Sequence, residues 1–201
     1  MNTSVQASAR GVYGLVLSGG ASRRMQHDKA LIDYHGEPQL RWTYRLLSSV
    51  LDRVFISVRG DQRDEPVRRD LPQIVDAFED AGPAAGILSA QALYPDVAWL
   101  VVACDLPRLD AATLQHLLQS RDPNRDATAF VSSHDGLPEP LCTLWEPASH
   151  EKLLERVQAG RSCPRKALIQ GNTQLLQPYT AHALDNINTP EELATLRASL
   201  R

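Results

Sequence analysis

Apolar residues in this chain gather into short runs that stop abruptly at glycine, proline or acid. Val12–Leu17 (VYGLVL), Val54–Val58 (VFISV), Ala98–Cys104 (AWLVVAC) and Leu141–Trp145 (LCTLW) have the length and composition of buried strands. Ile74-Val75-Asp76 and Thr128–Ser132 read as weaker strands. Between the runs the apolar spacing becomes helical. Pro38 begins a helix that carries Leu40, Tyr44, Leu47 and Leu51, Gly82–Gly86 opens another through Leu93, and Asp110 starts a third. Two more are expected at His150–Gln158 and Thr189–Leu196, the second with Thr189 as N-cap, Pro190 at the first helical position and Glu192 closing a capping box. The connection GDQRDEPVRRD (60–70) is charged enough to be expected on the surface. Strands alternating with helices imply an α/β fold, a single-domain, Rossmann-like three-layer arrangement about a mostly parallel central sheet. Ligands of such sheets bind outside the carboxyl ends of the strands, which is where Ser18-Gly19-Gly20 and Asp105 fall.

Length and charge narrow the classes. The 201 residues, 43% of them hydrophobic, suit one domain over 1–201, with residues 1–10 as a frayed polar leader. A net charge of -3 gives no general field for nucleic acid or anionic membrane, so a bound anion must be held locally. No apolar run reaches the ~18 residues of a membrane span, and MNTSVQASARG lacks the apolar segment of a signal peptide. Cys104, Cys142 and Cys163 are odd in number and without C-x-x-C spacing, which argues against a disulfide framework or zinc site and fits a reducing cytoplasm. His35, His116, His134, His150 and His182 are scattered without ligand spacing, and neither G-x-S-x-G nor a Cys/His pairing stands out. Aromatic residues are too few, and too seldom beside basic ones, for a single-stranded nucleic acid site.

The chemistry concentrates in GLVLSGGASRRMQHDKALID (14–33). Glycines let backbone amides approach an anion closely, and Arg23, Arg24 and Lys29 would neutralise it. A phosphate site is one reading, an ordinary glycine turn beside solvated charges the other. The spacing is neither that of the P-loop nor that of the dinucleotide fingerprint. Asp105 directly follows an apolar strand, where one carboxylate suffices for a magnesium ion that also takes substrate phosphates and water. It equally suits a turn or cap before Pro107. Asp28 is expected as the ion-pair partner of Lys29, in a holding role or as an inert surface pair. Asp76 closes another strand and points to the same edge.

The stretch LSGGASRRMQHDKA resembles the signature loop L-x-G-G-x-S-x-R-M-G-x-D-K of the molybdenum cofactor guanylyltransferase family of nucleotidyltransferases. GPAAGILSA (82–90), VACDLP (102–107), PEPL (138–141) and NINTPEEL (186–193) continue the resemblance in family order over nearly the whole chain. It implies a fold of the nucleotide-diphospho-sugar transferase type and transfer of GMP from GTP to molybdopterin cofactor, with Mg2+, giving the guanine dinucleotide form and pyrophosphate. Position by position, it places Leu17, Ser18, Gly19 and Gly20 against guanine and phosphates, Lys29 on the phosphates, and Asp76 and Gly82 on the nucleotide. Asn186 and Asn188 match the family's C-terminal asparagine pair. Asp105 would hold the metal, and Lys29, Asp105 and Arg24 would be the catalytic groups. Gln26 stands where the family has glycine, a departure that would strain the loop if that position needs a positive φ. Ser57 and Arg59 stand where some relatives have asparagines and receive no role. Protein partners implied are other members of molybdenum cofactor biosynthesis and molybdoenzyme chaperones, with no nucleic acid and no membrane. The alternatives are a cytidylyltransferase acting on the same pterin, a sugar-phosphate nucleotidyltransferase of similar fold, and a non-catalytic nucleotide-binding adaptor in cofactor delivery. Gly19-Gly20 after Leu17 resembles the guanylyl branch, and retention of Lys29 with Asp105 speaks against the adaptor.

Overall fold

Seven strands, β1 (Val12–Leu17), β2 (Val54–Val58), β3 (Gln73–Val75), β4 (Ala98–Ala103), β5 (Ala127–Val131), β6 (Pro138–Trp145) and β7 (Thr173–Leu176), form one sheet among the described residues, in the order β3-β2-β1-β4-β6-β5-β7. This is a computed structural model, and it describes residues 11–18, 28–178, 180 and 182–185. The helix expected at Thr189–Leu196 lies outside the described residues, as do Gly19, Gly20, Arg23, Arg24, Gln26, Asn186 and Asn188. Strand β6 runs antiparallel to β4 and β5, and every other neighbouring pair is parallel. The helices are α1 (Gln39–Ser48), α2 (Pro83–Leu93), α3 (Ala111–Gln119), α4 (His150–Gln158) and α5 (Pro164–Gln170).

Strands β1, β2 and β4 are mostly apolar because both faces of the sheet are covered, and the period-two alternation divides their side chains between two cores. Val12, Val16, Val54, Ile56, Ala98, Leu100 and Val102 share one core with Leu40 and Leu47 of α1 and Leu114 and Leu117 of α3. Leu15, Trp99, Val101, Ala127 and Ala129 share the other with Ile87 and Leu88 of α2, Leu153 of α4 and Leu168 of α5. Each fully buried aliphatic side chain contributes roughly 1.5–3 kcal/mol by leaving water. The three-layer α/β arrangement expected from the sequence is therefore present, and among the described residues no helix is long and apolar enough to cross a membrane.

Four local expectations change. Thr128–Ser132 is a strand displaced by one residue, β5, and the run Leu141–Trp145 extends back to Pro138, where prolines are tolerated at a strand start. Pro38 occupies the N-cap of α1, one position before the helix. The connection 60–70 is not wholly on the surface: Gln62, Val67 and Arg68 within it are buried. Helix α3 starts as expected, with the Asp110 carboxylate accepting the Thr113 N–H at 2.7 Å. Helix α5 and strand β7 lacked a clear apolar period in the sequence and emerge only in the fold.

Candidate active site

Parallel pairing sets the ends of the central strands level. Leu17 lies in register with Ser57 of β2 and Ala103 of β4, so the residues that follow each strand emerge on one edge. Helix α2 can approach this edge because residue 86 is glycine: a Cβ there would stand 2.3 Å from Ser57 Oγ and 2.9 Å from Leu17 Cδ2. The edge opens into a cavity of about 820 Å³. Of the site residues expected from the sequence, every one among the described residues lines it: Leu17, Ser18, Lys29, Asp76, Gly82 and Asp105.

The Lys29 ammonium stands 2.9 Å from Asp105 Oδ2, and both side chains are largely buried. The other oxygen, Asp105 Oδ1, is buried without a hydrogen-bond partner among the described residues. Asp105 is therefore neither a helix cap nor a solvated turn residue, and leaving a carboxylate oxygen unmatched out of water costs several kcal/mol, of order 1–3 for even a neutral group. A hard cation would satisfy it. Among the described residues no cluster of three or more His, Cys, Asp or Glu could hold a metal. A magnesium ion at Asp105 would thus take the rest of its oxygens from substrate phosphate and water, as that ion commonly does.

Asp28 does not serve Lys29 as the sequence suggested. Its Oδ1 accepts the Ala30 N–H at 2.9 Å, starting the short 3-10 turn Lys29–Leu31, and its Oδ2 lies 2.8 Å from Arg68. The Arg68 guanidinium is fully buried, also pairs with Glu65, and donates to the Ser18 carbonyl at 2.9 Å. Burial opposes its charge, but Asp28 and Glu65 outweigh that and hold it above its ordinary range.

A second chain of bonds crosses the strand ends. Ser18 Oγ donates to the Ser57 carbonyl at 2.7 Å, and Ser57 Oγ donates to Asp76 Oδ1 at 2.6 Å. Burial pushes the Asp76 carboxyl up to about 6, against the pull of the Ser57 hydroxyl and the Arg59 charge. Gly82 caps α2 with φ +57°, a backbone that glycine adopts without strain, and Pro83 follows at the first helical position. The start of α2 thus faces the cavity through Gly82, Pro83 and Ala85, beside Glu79 and Asp80. Cys104 also lines the cavity, but burial, and then the Asp105 charge, push its thiol up to about 12, so it offers no thiolate nucleophile.

Three contributors were not singled out by the sequence. Ser57 sits at the right strand end, but a serine there carries no distinctive pattern. His35 stacks on Trp42 with ring centroids 4.2 Å apart, and its Nε2 lies 2.9 Å from the Pro107 carbonyl, bracing the turn that carries Asp105. Arg68 was hidden inside a run whose charge argued for exposure.

Comparison with known proteins gives a consistent picture. The family model described as MobA-like NTP transferase domain matches residues 14–179. A molybdenum cofactor biosynthesis bifunctional protein of Synechocystis sp. is 38% identical over 181 residues, which are 90% of this chain and 52% of that protein. The chain thus spans about half the length of that relative. A probable molybdenum cofactor guanylyltransferase of Trichormus variabilis is 32% identical over 184 residues, covering 91% of this chain and 89% of that one. Among solved structures, molybdopterin-guanine dinucleotide biosynthesis protein A from Archaeoglobus fulgidus superposes with a TM-score of 0.78 at 22% identity, over 94% of this chain and 98% of that one. At that identity the superposition speaks for the fold alone.

Proposed function

The chain belongs to the MobA-like NTP transferase domain family, and we propose that it transfers GMP from GTP to molybdopterin cofactor, forming the guanine dinucleotide and releasing pyrophosphate. The relatives' names support the substrates. The observation that carries the reading is the meeting of Lys29 and Asp105 at the cavity, with Asp105 Oδ1 buried and unmatched.

In this reaction an oxygen of the pterin's phosphate monoester bonds to the α-phosphorus of GTP. The bond from that phosphorus to the bridging oxygen breaks, and pyrophosphate leaves with the electron pair. The second pKa of a phosphate monoester is ~6, so the attacking group is largely ionised near neutral pH and needs no general base. The absence of a histidine or thiolate base from the reading is therefore no obstacle. What the chain must do is hold two anions together and receive charge on the departing group. Lys29 donates to the phosphate oxygens, and the start of α2, with its dipole, stands at the cavity wall through Gly82. Asp105 would hold Mg2+, which when bound supplies Lewis-acid charge to the phosphates. Leu17, Ser18 and Asp76 flank the space for the nucleoside. Gly19, Gly20, Arg24, Asn186 and Asn188 belong to the same reading on their motifs alone.

We read the chain as one nucleotidyltransferase domain working in a reducing cytoplasm, in keeping with the free thiols of Cys104, Cys142 and Cys163. Other proteins of molybdenum cofactor biosynthesis and molybdoenzyme chaperones would receive its product. Equilibrium binding of GTP, CTP, ATP and UTP with Mg2+, beside pyrophosphate release dependent on the pterin, tests the assignment. GTP is expected to bind at least about tenfold more tightly than CTP, a difference of ~1.4 kcal/mol. Equal or reversed affinities remove the guanylyl assignment.

A further inference from the structure

Residues 19–27 enter from Ser18 and leave into Asp28, and one buried side chain grips both of these flanking residues. Arg68 comes from the connection between β2 and β3, 50 residues from Ser18, and donates through Nη2 to the Ser18 carbonyl at 2.9 Å. Through Nη1 it meets Asp28 Oδ2 at 2.8 Å. Its own place is fixed independently: the Arg68 N–H donates to the Glu65 carbonyl at 2.8 Å, and the Arg68 carbonyl accepts from Gln73 Nε2 at 2.9 Å. A planar guanidinium can make two such bonds in fixed relative directions, which a single ammonium cannot reproduce.

The grip on Asp28 has a consequence two atoms further on. The second oxygen of Asp28 accepts the Ala30 N–H at 2.9 Å, and the Leu31 N–H donates to the Asp28 carbonyl at 3.0 Å. These bonds form the turn that carries Lys29 to Asp105. A fully buried arginine flanked by Asp28 and Glu65 could be purely structural, since breaking a buried ion pair leaves an uncompensated charge out of water. Here the same guanidinium holds the two flanks of one segment and shares its carboxylate with the turn bearing the cavity lysine, which ties it to the site.

We propose that Arg68 is a positioning residue that clasps Ser18 to Asp28 and, through the Asp28-capped turn, sets the Lys29 ammonium where the phosphates react. It acts without touching substrate. The catalytic part of this proposal rests on the nucleotidyltransferase reading above, while the clasp itself does not.

The test compares the full chain with its Arg68→Lys, Lys29→Ala and doubly substituted variants, with Asp28→Asn as a second route. Asp28→Asn keeps an oxygen to cap Ala30 but removes the charge that holds Arg68. Hydrogen exchange at the Ala30, Leu31 and Ile32 amides is read beside that of strand β1, and kcat and KM are read for GTP with Mg2+ and the pterin. Arg68→Lys and Asp28→Asn should each speed exchange at those three amides at least about fivefold while β1 stays protected, because local and global opening are separable. Arg68→Lys should lower kcat about tenfold in the native background and less than about twofold when Lys29 is already alanine, the non-additivity expected of residues acting through one another. Unchanged exchange at 30–32 in both variants overturns the clasp. A tenfold loss that persists in the Lys29→Ala background overturns the action through Lys29. Should the native protein turn over no GTP, the activity reading fails by itself, and the exchange measurements still decide the clasp.

Discussion

The Lys29 ammonium and Asp105 Oδ2 lie 2.9 Å apart although 76 residues separate them in the chain. One stands on a turn after β1 and the other two residues after β4, and the parallel pairing of those strands brings them together. The arrangement gives Lys29 a partner before any substrate arrives and leaves Asp105 with one oxygen still to be matched. A lysine so placed can pass from a carboxylate to a phosphate without first being desolvated.

Removing that ammonium should cost rate. A preorganised donor to developing charge is typically worth ~10²–10³ in turnover, so Lys29→Ala is expected to lower kcat by about that factor. Lys29→Arg keeps the charge but not the compact point-like group, so only partial recovery is expected. Steady-state and single-turnover kinetics with GTP and the pterin check this. A Lys29→Ala protein that turns over at the native rate removes Lys29 from the chemistry.

Asp105→Asn keeps the shape of the side chain and a carbonyl oxygen for Lys29 while discarding the charge that would hold Mg2+. Turnover should become undetectable at Mg2+ concentrations that saturate the native enzyme, and chelation followed by Mg2+ replacement should restore the native enzyme alone. Melting should shift little, because the position lies at a strand end and one buried oxygen was unmatched in the native chain. Undiminished Mg2+ dependence in Asp105→Asn would show that the metal is held elsewhere.

Gly86→Ala sets two effects against each other. Alanine is better than glycine in a helix interior by about 1 kcal/mol. Its Cβ would, however, meet Ser57 Oγ at 2.3 Å and Leu17 Cδ2 at 2.9 Å, and overpacking of this kind typically costs about 1–3 kcal/mol. The second effect should win, with a lowered melting temperature and a raised KM for GTP, because Ser57 can yield only by abandoning its bond to Asp76. A variant that melts higher than the native chain and binds GTP as well would show that α2 does not need this close approach.

The strand ends were legible because β1, β2 and β4 are buried on both faces and so read as largely apolar runs that halt where the chemistry begins. That is enough to place Leu17, Ser18 and Asp105 on one edge. Strand β7 was not legible because, at the margin of the sheet, its Leu175 remains exposed and no alternation marks it. Asp28 was assigned to Lys29 by adjacency in sequence, but consecutive side chains entering a turn point apart, and each found a partner far along the chain. Arg68 illustrates the limit most clearly. Its charge marked it for solvent, and only the fold supplies the two acids and the carbonyl that make its burial tolerable.

Asp76 should leave a signature in the dependence of stability on pH. Burial raises its carboxyl from the ordinary 3.8 to about 6. Between those values the folded chain holds a proton that the unfolded chain has released, so this residue makes stability fall as pH rises through the window and leaves it level above. At ~1.4 kcal/mol per pH unit, the window amounts to roughly 3 kcal/mol at most. Asp76→Asn is neutral at every pH and retains an oxygen to accept the Ser57 hydroxyl. Its melting temperature should therefore exceed that of the native chain at pH 8 by several degrees, since about 1 kcal/mol moves a domain of this size by ~2–4 °C. The difference should shrink toward pH 4, where the native carboxyl is protonated as well. If Asp76 also serves the nucleotide, the stabilised variant should bind GTP more weakly, trading stability against function at a single carboxylate. Thermal melts of both proteins from pH 4 to 8, with GTP titrations at pH 8, decide the matter, and parallel melting curves across that whole range would show that the Asp76 carboxylate bears its burial without cost.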